Sequence, residues 1–229
     1  MRPVGQAVWP AIAFIRGPQN ASCALAAAML LRGADDRFPS SARRSTRFRD
    51  HYHNPKITKR EIFDYVYAVL HHPDYRARFA ENLKRELPRI PLAPDFAAFS
   101  QSGAQLARLH LDYEQLEPYP LEFVESLAHP LSYLVKDKMR LSKDKTSLIV
   151  NPSLTLTGIP PQTYEYRLGN RSALEWVVDQ YQVSEDPRTG IRSDPNRPDD
   201  LQYIVHLVGQ VIRVSLETVA LVRALPPWQ

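Results

Sequence analysis

The chain has 229 residues, 44% of them hydrophobic, and a formal net charge of +4 at pH 7. This length allows one large domain or two small ones, each with a real core. The single cysteine, Cys23, excludes an internal disulfide framework and fits a reducing cytoplasm. Because no uncharged apolar run reaches about 18 residues, we expect no membrane-spanning helix and no membrane partner.

The positive charge is concentrated near the N-terminus. Residues 1–56 carry nine Lys/Arg and three acidic residues, whereas residues 57–229 carry 20 Lys/Arg and 22 Asp/Glu. The net charge is therefore not by itself evidence that the folded part binds nucleic acid. Residues 1–46 are rich in Ala, Arg, Ser and Pro without a sustained period. This composition predicts a poorly ordered or non-native leader, followed by one domain over residues 47–229.

A block dense in aromatic and charged residues, Ile57–Pro91, predicts two amphipathic helices. Thr58 and Glu61 form a capping box for the first helix, Pro73 begins the second, and Pro88 ends it. The apolar side chains recur at helical spacing and favour a helical-hairpin core over an exposed nucleic-acid surface. These positions are Ile62, Phe63, Val66, Val69, Leu70, Tyr75, Phe79, Leu83 and Leu87.

The remaining elements predict an α+β fold, with a helical N-terminal half, a small antiparallel β-sheet in the middle and helices at the C-terminus. A third helix is expected within Pro94–Tyr113, and a fourth begins at the Ser172 cap and ends near Tyr181. A loop over Ser184–Asp200 separates it from a last helix, Leu201–Leu225. The predicted strands are Lys138–Leu141, Ser147–Val150 and Leu154–Thr157.

Motifs for catalysis, nucleotides and metals are missing from the sequence. Neither G-x-x-x-x-G-K-[ST] nor G-x-G-x-x-G occurs, a single cysteine excludes a CxxC zinc site, and the His51-Tyr52-His53 and His71-His72 groups lack further ligands. Asn151-Pro152-Ser153-Leu154 differs from the Asn-Pro-Pro-aromatic motif of amino-methyltransferases. It lacks the aromatic ring that stacks the flipped base, so it predicts a β-turn. We therefore expect no catalytic residue, metal or cofactor in this chain.

Three sets of side chains are candidates for contact with DNA, each with a solvated or helix-capping role as the alternative. Basic residues on a hairpin pair with phosphates, and the first set is Lys136, Lys138, Arg140, Lys143 and Lys145. Arg and Asn make bidentate contacts to base edges, and the second set is Arg167, Asn170 and Arg171. The third is weaker, because acidic residues outnumber arginines in its loop. It comprises Arg188, Arg192, Asn196 and Arg197.

The Ile57–Pro91 block resembles the C-terminal specificity domain of Type ISP restriction–modification enzymes and related large adenine-specific DNA methyltransferases. Further matching segments follow in the same order and extend the resemblance over about residues 48–225. They are Phe96–Tyr113, Tyr164–Val183, Gly190–Asn196 and Val214–Leu225. Residues 1–46 and the family's methyltransferase motifs have no counterpart in this match.

The resemblance implies a DNA sequence-recognition module that is non-catalytic by itself. Its partners would be double-stranded DNA and an adenine-N6 methyltransferase and translocase domain or subunit, and S-adenosylmethionine would bind only in that partner. We also expect a fragment of a longer enzyme, or one half of a split system. One alternative is a structural docking element that never contacts DNA, which the acidic balance of residues 57–229 favours. A third interpretation is part of an active DNA methyltransferase.

Overall fold

The computed structural model describes residues 39–83, 85 and 88–227, with side chains from residue 45 onward. The helices are α1 Pro39–His51, α2 Lys59–His71, α3 Pro73–Arg78, α4 Ala80–Leu83, α5 Phe96–Leu111, α6 Ala173–Gln180 and α7 Tyr203–Arg223. The strands are β1 Glu122–Glu125, β2 Arg140–Leu141, β3 Ser147–Asn151, β4 Leu154–Thr157, β5 Arg167–Leu168, β6 Arg171–Ser172, β7 Ser184–Glu185 and β8 Arg192–Ser193. Short 3-10 helices cover Tyr113–Gln115 and Pro161–Glu165. The predicted α+β class is confirmed.

The chain divides into two compact units. Unit 1 contains the described residues up to Leu111 together with those from Ala220 onward, and unit 2 is Asp112–Val219. Of the predicted leader, residues 1–38 lie outside the described part of the chain. Helix α1 crosses the predicted boundary at residue 46.

Helix α2 organises the core of unit 1. It begins at the predicted capping box, because the Thr58 hydroxyl accepts from the Glu61 N–H and the Glu61 carboxylate accepts from the Thr58 N–H. The Tyr65 ring is fully buried against Phe48, Phe96 and Phe99. The predicted aromatic core is thus confirmed, although the main partner of α2 is α5.

The helix predicted from Pro73 to Pro88 is interrupted. Helices α3 and α4 are separated at Phe79, whose φ is −108° and ψ 18°. The Tyr75 hydroxyl donates to the Arg89 carbonyl at 2.9 Å. A continuous helix would place those residues about 20 Å apart, so this hydrogen bond requires the chain to fold back. Leu87, part of the predicted stripe, lies outside the described residues.

Unit 2 contains a four-stranded antiparallel sheet in the order β1-β4-β3-β2. Its core face carries the buried side chains of Leu148, Val150, Leu154 and Leu156. Strand β1 was not predicted from the sequence, because all four of its residues are exposed at a sheet edge and no burial alternation marks it. Strand β2 is two residues shorter than predicted, and the predicted Ser184–Asp200 loop contains the β7–β8 hairpin.

Helix α7 is the one described helix long and apolar enough to span a membrane by length and composition. However, 61% of its most apolar window is buried inside the protein, as is typical of a core helix.

Gly209 permits close packing within unit 2, because a Cβ at this position would lie 2.7 Å from the Pro118 Cβ. The Gly209 carbonyl also accepts the Tyr119 N–H at 3.0 Å.

Candidate nucleic-acid interface

Helix α6 brings two of the predicted DNA-contact sets together. Asp179 on this helix accepts a hydrogen bond from the Arg171 guanidinium at 2.7 Å, and its other oxygen lies 3.6 Å from the Lys138 ammonium. One turn earlier, the Glu175 carboxylate accepts from the Lys145 ammonium at 2.8 Å. We call the surface formed by the first two predicted sets around α6 the basic surface.

Local sequence signals fix α6 and the hairpin that precedes it. Ser172 and Glu175 form the predicted capping box at the start of the helix. The β5–β6 hairpin turns at Gly169, whose φ of +73° lies in the left-handed region that favours glycine. The Trp176 indole then donates to the Leu168 carbonyl at 3.0 Å, so the hairpin is held against the helix.

The turn between β2 and β3 is ordered by Asp144. Its carboxylate accepts from the hydroxyls of Ser142 and Thr146 and from the Thr146 N–H. These hydrogen bonds, led by that from Ser142, hold the pKa of Asp144 below its usual value. The turn therefore presents Lys143 and Lys145 from a defined backbone.

Lys145 is held more tightly than a typical surface lysine. Its φ is +60°, a left-handed conformation that costs a non-glycine residue about 1 kcal/mol or more. Its carbonyl accepts from the Tyr164 hydroxyl at 2.7 Å, and its ammonium lies 5.1 Å from the centre of the Tyr164 ring. Together with the Glu175 ion pair, these contacts fix the position of the charge.

Both α6 carboxylates are ionised near neutral pH. Partial burial acts to raise the pKa of Glu175, but hydrogen bonds from Lys145 and Ser172 outweigh it and lower the pKa to about 2. The hydrogen bond from Arg171 likewise holds the pKa of Asp179 below its usual value. An exposed ion pair contributes about 0–1 kcal/mol, so these cations can exchange a carboxylate for a phosphate oxygen at little cost.

Other cations of the basic surface lack such partners. Lys136, Arg140 and Lys143 are exposed, and their side chains make no hydrogen bond or ion pair among the described residues. Arg167 donates to the Asn170 carbonyl, and the Asn170 side chain is exposed. The basic surface thus combines cations held by α6 with cations that are free to contact a ligand.

The third predicted set is divided among different roles. The Asn196 side-chain amide bonds the N–H and the carbonyl of Val135, at 2.9 and 2.7 Å, so it ties its loop to the start of the basic surface. The Arg192 guanidinium lies 3.6 Å from Asp194, and that of Arg197 lies 3.3 Å from the centre of the Tyr203 ring. The Arg188 side chain has no such partner within the described part of the chain.

The Asn151-Pro152-Ser153-Leu154 segment forms the turn between β3 and β4. The buried Asn151 amide donates to the carbonyls of Ser132 and Leu134, and its oxygen accepts from Ser153. Its polar atoms are thus used within the fold, in agreement with the predicted turn. Among the described residues, no group of three or more His, Cys, Asp or Glu side chains is placed to hold a metal ion.

The roles of Asp179 and Glu175 as partners of the basic residues were not predicted from the sequence. Glu175 was identified only as part of a capping box, although it also binds Lys145. The i, i+4 spacing of Glu175 and Asp179 indicates one acidic face of α6. That spacing was the available signal, but its basic partners lie too far away in sequence to be matched by pattern.

A family model and solved structures of known proteins indicate the same family for this chain. The model of the Type ISP C-terminal specificity domain matches residues 41–207. No curated protein sequence gives a significant match.

Three solved structures are similar to this chain. The ATP-dependent Type ISP restriction-modification enzyme LlaBIII bound to DNA is 35% identical over 76% of the chain, with a TM-score of 0.70. A nuclease-deletion mutant of the Type ISP enzyme LlaGI in complex with a DNA substrate mimic is 40% identical over 76%, with a TM-score of 0.69. The DrdV–DNA complex is 32% identical over 79%, with a TM-score of 0.67.

The matched segment is a small part of each of these proteins. The chain covers 12% of the LlaBIII chain, 17% of the LlaGI chain and 19% of the DrdV chain. The family model, by contrast, covers most of the present sequence. This chain therefore belongs to the Type ISP C-terminal specificity domain family.

Proposed function

We propose that this chain recognises double-stranded DNA as the specificity module of a restriction–modification system with adenine-N6 methyltransferase activity. The chain is non-catalytic by itself and works beside a methyltransferase and translocase domain or subunit in the cytoplasm. That partner supplies the methyl donor, S-adenosylmethionine, and the pocket for the flipped base. The observation that carries this proposal is the convergence of two separate basic segments on α6.

In this proposal, phosphate contacts set the position of the module along the duplex. Lys136, Arg140 and Lys143 bind phosphates directly, because their side chains have no competing acid among the described residues. In the free protein, Lys138 and Lys145 form ion pairs with the carboxylates of Asp179 and Glu175 on α6. When DNA binds, they exchange these carboxylates for phosphate oxygens.

Base contacts come from the β5–β6 hairpin. Asn170 is exposed at its turn, with Arg167 and Arg171 in the flanking strands. The Arg171 guanidinium lies 5.7 Å from the centre of the Trp176 ring, so its plane is partly oriented before DNA binds. We assign Asn196 a different role from the other candidates, anchoring the loop, because Val135 and Asp194 occupy its amide group.

A salt titration of duplex binding tests the proposal. We expect Lys143→Glu to weaken binding and to reduce the slope of log affinity against log salt by about 1 or more. Lys56→Glu is the matched control, since Lys56 is an exposed lysine in unit 1 with the same charge change. Fluorescence anisotropy with a labelled duplex gives both numbers, and circular dichroism checks that each variant folds.

Three outcomes would contradict a DNA-contact role. Wild-type protein, alone and joined to a methyltransferase partner, could show no salt-sensitive binding to duplex DNA. Lys143→Glu and Lys56→Glu could instead weaken binding equally, which would assign the effect to net charge. Unchanged binding of Lys143→Glu with intact folding would indicate a docking element instead.

A further inference from the structure

The β7–β8 hairpin is an exposed two-stranded ribbon in unit 2. Ser184 pairs with Ser193 and Glu185 pairs with Arg192, and every residue from 184 to 194 is exposed. Apolar packing therefore does not explain why this segment is ordered.

Hydrogen bonds of Asp186 order the tip of the hairpin. Its carboxylate accepts the N–H groups of Arg188 and Thr189, at 2.8 and 3.0 Å. Its carbonyl accepts the Gly190 N–H at 2.8 Å, and Gly190 has a φ of +67°, which favours glycine. The tip therefore has one defined backbone conformation without being packed against the protein.

Both ends of the hairpin are attached to one short segment at the start of the basic surface. Before β7, the Val183 N–H donates to the Asp137 carbonyl at 3.0 Å. After β8, the Asn196 side chain bonds both backbone groups of Val135. These attachment points flank Lys136, one of the free cations, so the ribbon starts beside groups that are suited to phosphate.

The tip carries side chains with no role in the fold. The Arg188 side chain makes no hydrogen bond, ion pair or ring contact among the described residues, and Ile191 is 68% exposed. An exposed, unpaired arginine and an exposed isoleucine in one hairpin suit the major groove, where arginine binds guanine and apolar groups contact the thymine methyl.

The length of the β7–β8 hairpin agrees with the depth of the major groove of DNA. The major groove admits a two-stranded β-ribbon and is about 8.5 Å deep. The three residue steps from Val183 to Asp186 span about 10 Å before the turn at residues 187–189. A ribbon that begins at the phosphates is therefore long enough for its tip to reach the base edges.

We propose that the β7–β8 hairpin enters the major groove of DNA and that Arg188 determines specificity for a guanine. This inference rests on the proposed DNA-recognition function and adds a second base-contacting element to the β5–β6 hairpin. In this bidentate contact, the Arg188 guanidinium donates one hydrogen bond to O6 and one to N7 of the guanine.

Selection from a library of random duplexes tests the proposal with the full 229-residue chain. Wild-type protein should enrich a sequence containing at least one guanine that Arg188→Ala no longer requires. We expect the preference for that guanine to fall roughly tenfold or more. Arg188→Lys keeps the charge but not the bidentate fork, so it should retain most of the affinity while losing the same preference.

Lys143→Ala is the control, because it removes a free cation assigned to phosphate. It should weaken binding to all duplexes alike and leave the enriched sequence unchanged. The hairpin proposal alone would be overturned by an unchanged guanine preference in Arg188→Ala, or by salt-sensitive wild-type binding that enriches no guanine-containing sequence. Absence of both enrichment and salt-sensitive binding in the wild type would overturn the proposed function and this inference with it.

Discussion

At the scale of single residues, Glu175 combines two tasks in one carboxylate. It caps α6 through Ser172 and holds Lys145 at 2.8 Å. These partners favour the ionised form, so the pKa in the folded protein is about 2, below its ordinary value of 4.5. Glu175 therefore links the stability of unit 2 to pH, because protonation removes the ion pair and weakens the cap.

This link predicts a loss of stability in acid. A carboxyl whose pKa is lowered by folding stabilises the protein above its unfolded pKa, and this stabilisation is lost as the pH falls from about 4.5 to about 2. Glu175→Gln should lower the free energy of unfolding at pH 7 by about 1 kcal/mol. The difference between variant and wild type should shrink as the pH falls through that window.

Urea unfolding at several pH values measures this difference. Glu125→Gln serves as the control, since Glu125 is exposed on β1 and has no side-chain partner among the described residues. A constant difference between Glu175→Gln and wild type from pH 7 to pH 2.5 would contradict the assignment.

At the scale of elements, the crossing of α2 and α5 depends on a glycine. A Cβ at Gly103 would lie 1.7 Å from the Asp64 carbonyl oxygen and 3.2 Å from the Ala68 nitrogen. The Ser100 hydroxyl donates to the Glu61 carbonyl at 3.1 Å, which shows how closely the two helices approach. Backbone atoms cannot rotate away, so any larger residue must force the helices apart.

Gly103→Ala should therefore destabilise unit 1 by about 3 kcal/mol, despite the higher helix propensity of alanine. Gln105→Ala, at an exposed position of the same helix, should change the free energy of unfolding by less than about 0.5 kcal/mol. Chemical denaturation followed by circular dichroism compares the two variants. Equal stabilities would mean that the close approach is not needed for the fold.

Elements with local signals were predictable from the sequence. The capping boxes at Thr58 and Ser172 correctly placed the starts of α2 and α6, because cap, first turn and apolar stripe lie within a few residues. The break at Phe79 was not predictable, because the apolar stripe continues through this position and no glycine or proline marks it. Strand β1 was missed because it exists only through pairing with β4, far along the chain.

The candidate interface shows the same limit. The charged residues were identified from composition and turn patterns, and their positions on exposed hairpins agree with that expectation. Their convergence was not predictable, because Asp179 joins Lys138 and Arg171 only after the chain has folded. Whether these side chains contact DNA stays a prediction for the experiments above.

At the scale of the whole molecule, part of the net positive charge lies outside the segment that matches the family. Residues 1–38, which precede the described part of the chain, carry four arginines and two aspartates. The matched family segment begins at residue 41, and the basic surface lies entirely in unit 2. Sequence recognition is therefore expected to be a property of the described residues.

Deleting residues 1–38 tests this distribution. The shortened chain should keep the sequence preference of the full chain. Affinity for random duplexes at low salt should fall modestly, because two net positive charges are removed. Competition binding against random duplexes separates these effects, and a lost sequence preference would assign recognition to the deleted segment.

The attachment of the β7–β8 hairpin at Val135 and Asp137 has a consequence for how this domain diverges. The hydrogen bonds to Val135 and Asp137 hold the base of the hairpin in place. The tip residues are therefore under little structural constraint apart from Asp186 and Gly190. Substitutions at the exposed tip cost little folding free energy, and modest changes in its length add little loop-closure entropy. The stretch Ser184–Thr189 lies between two segments that match the family, so, apart from Asp186, it can vary while the scaffold beneath it stays the same.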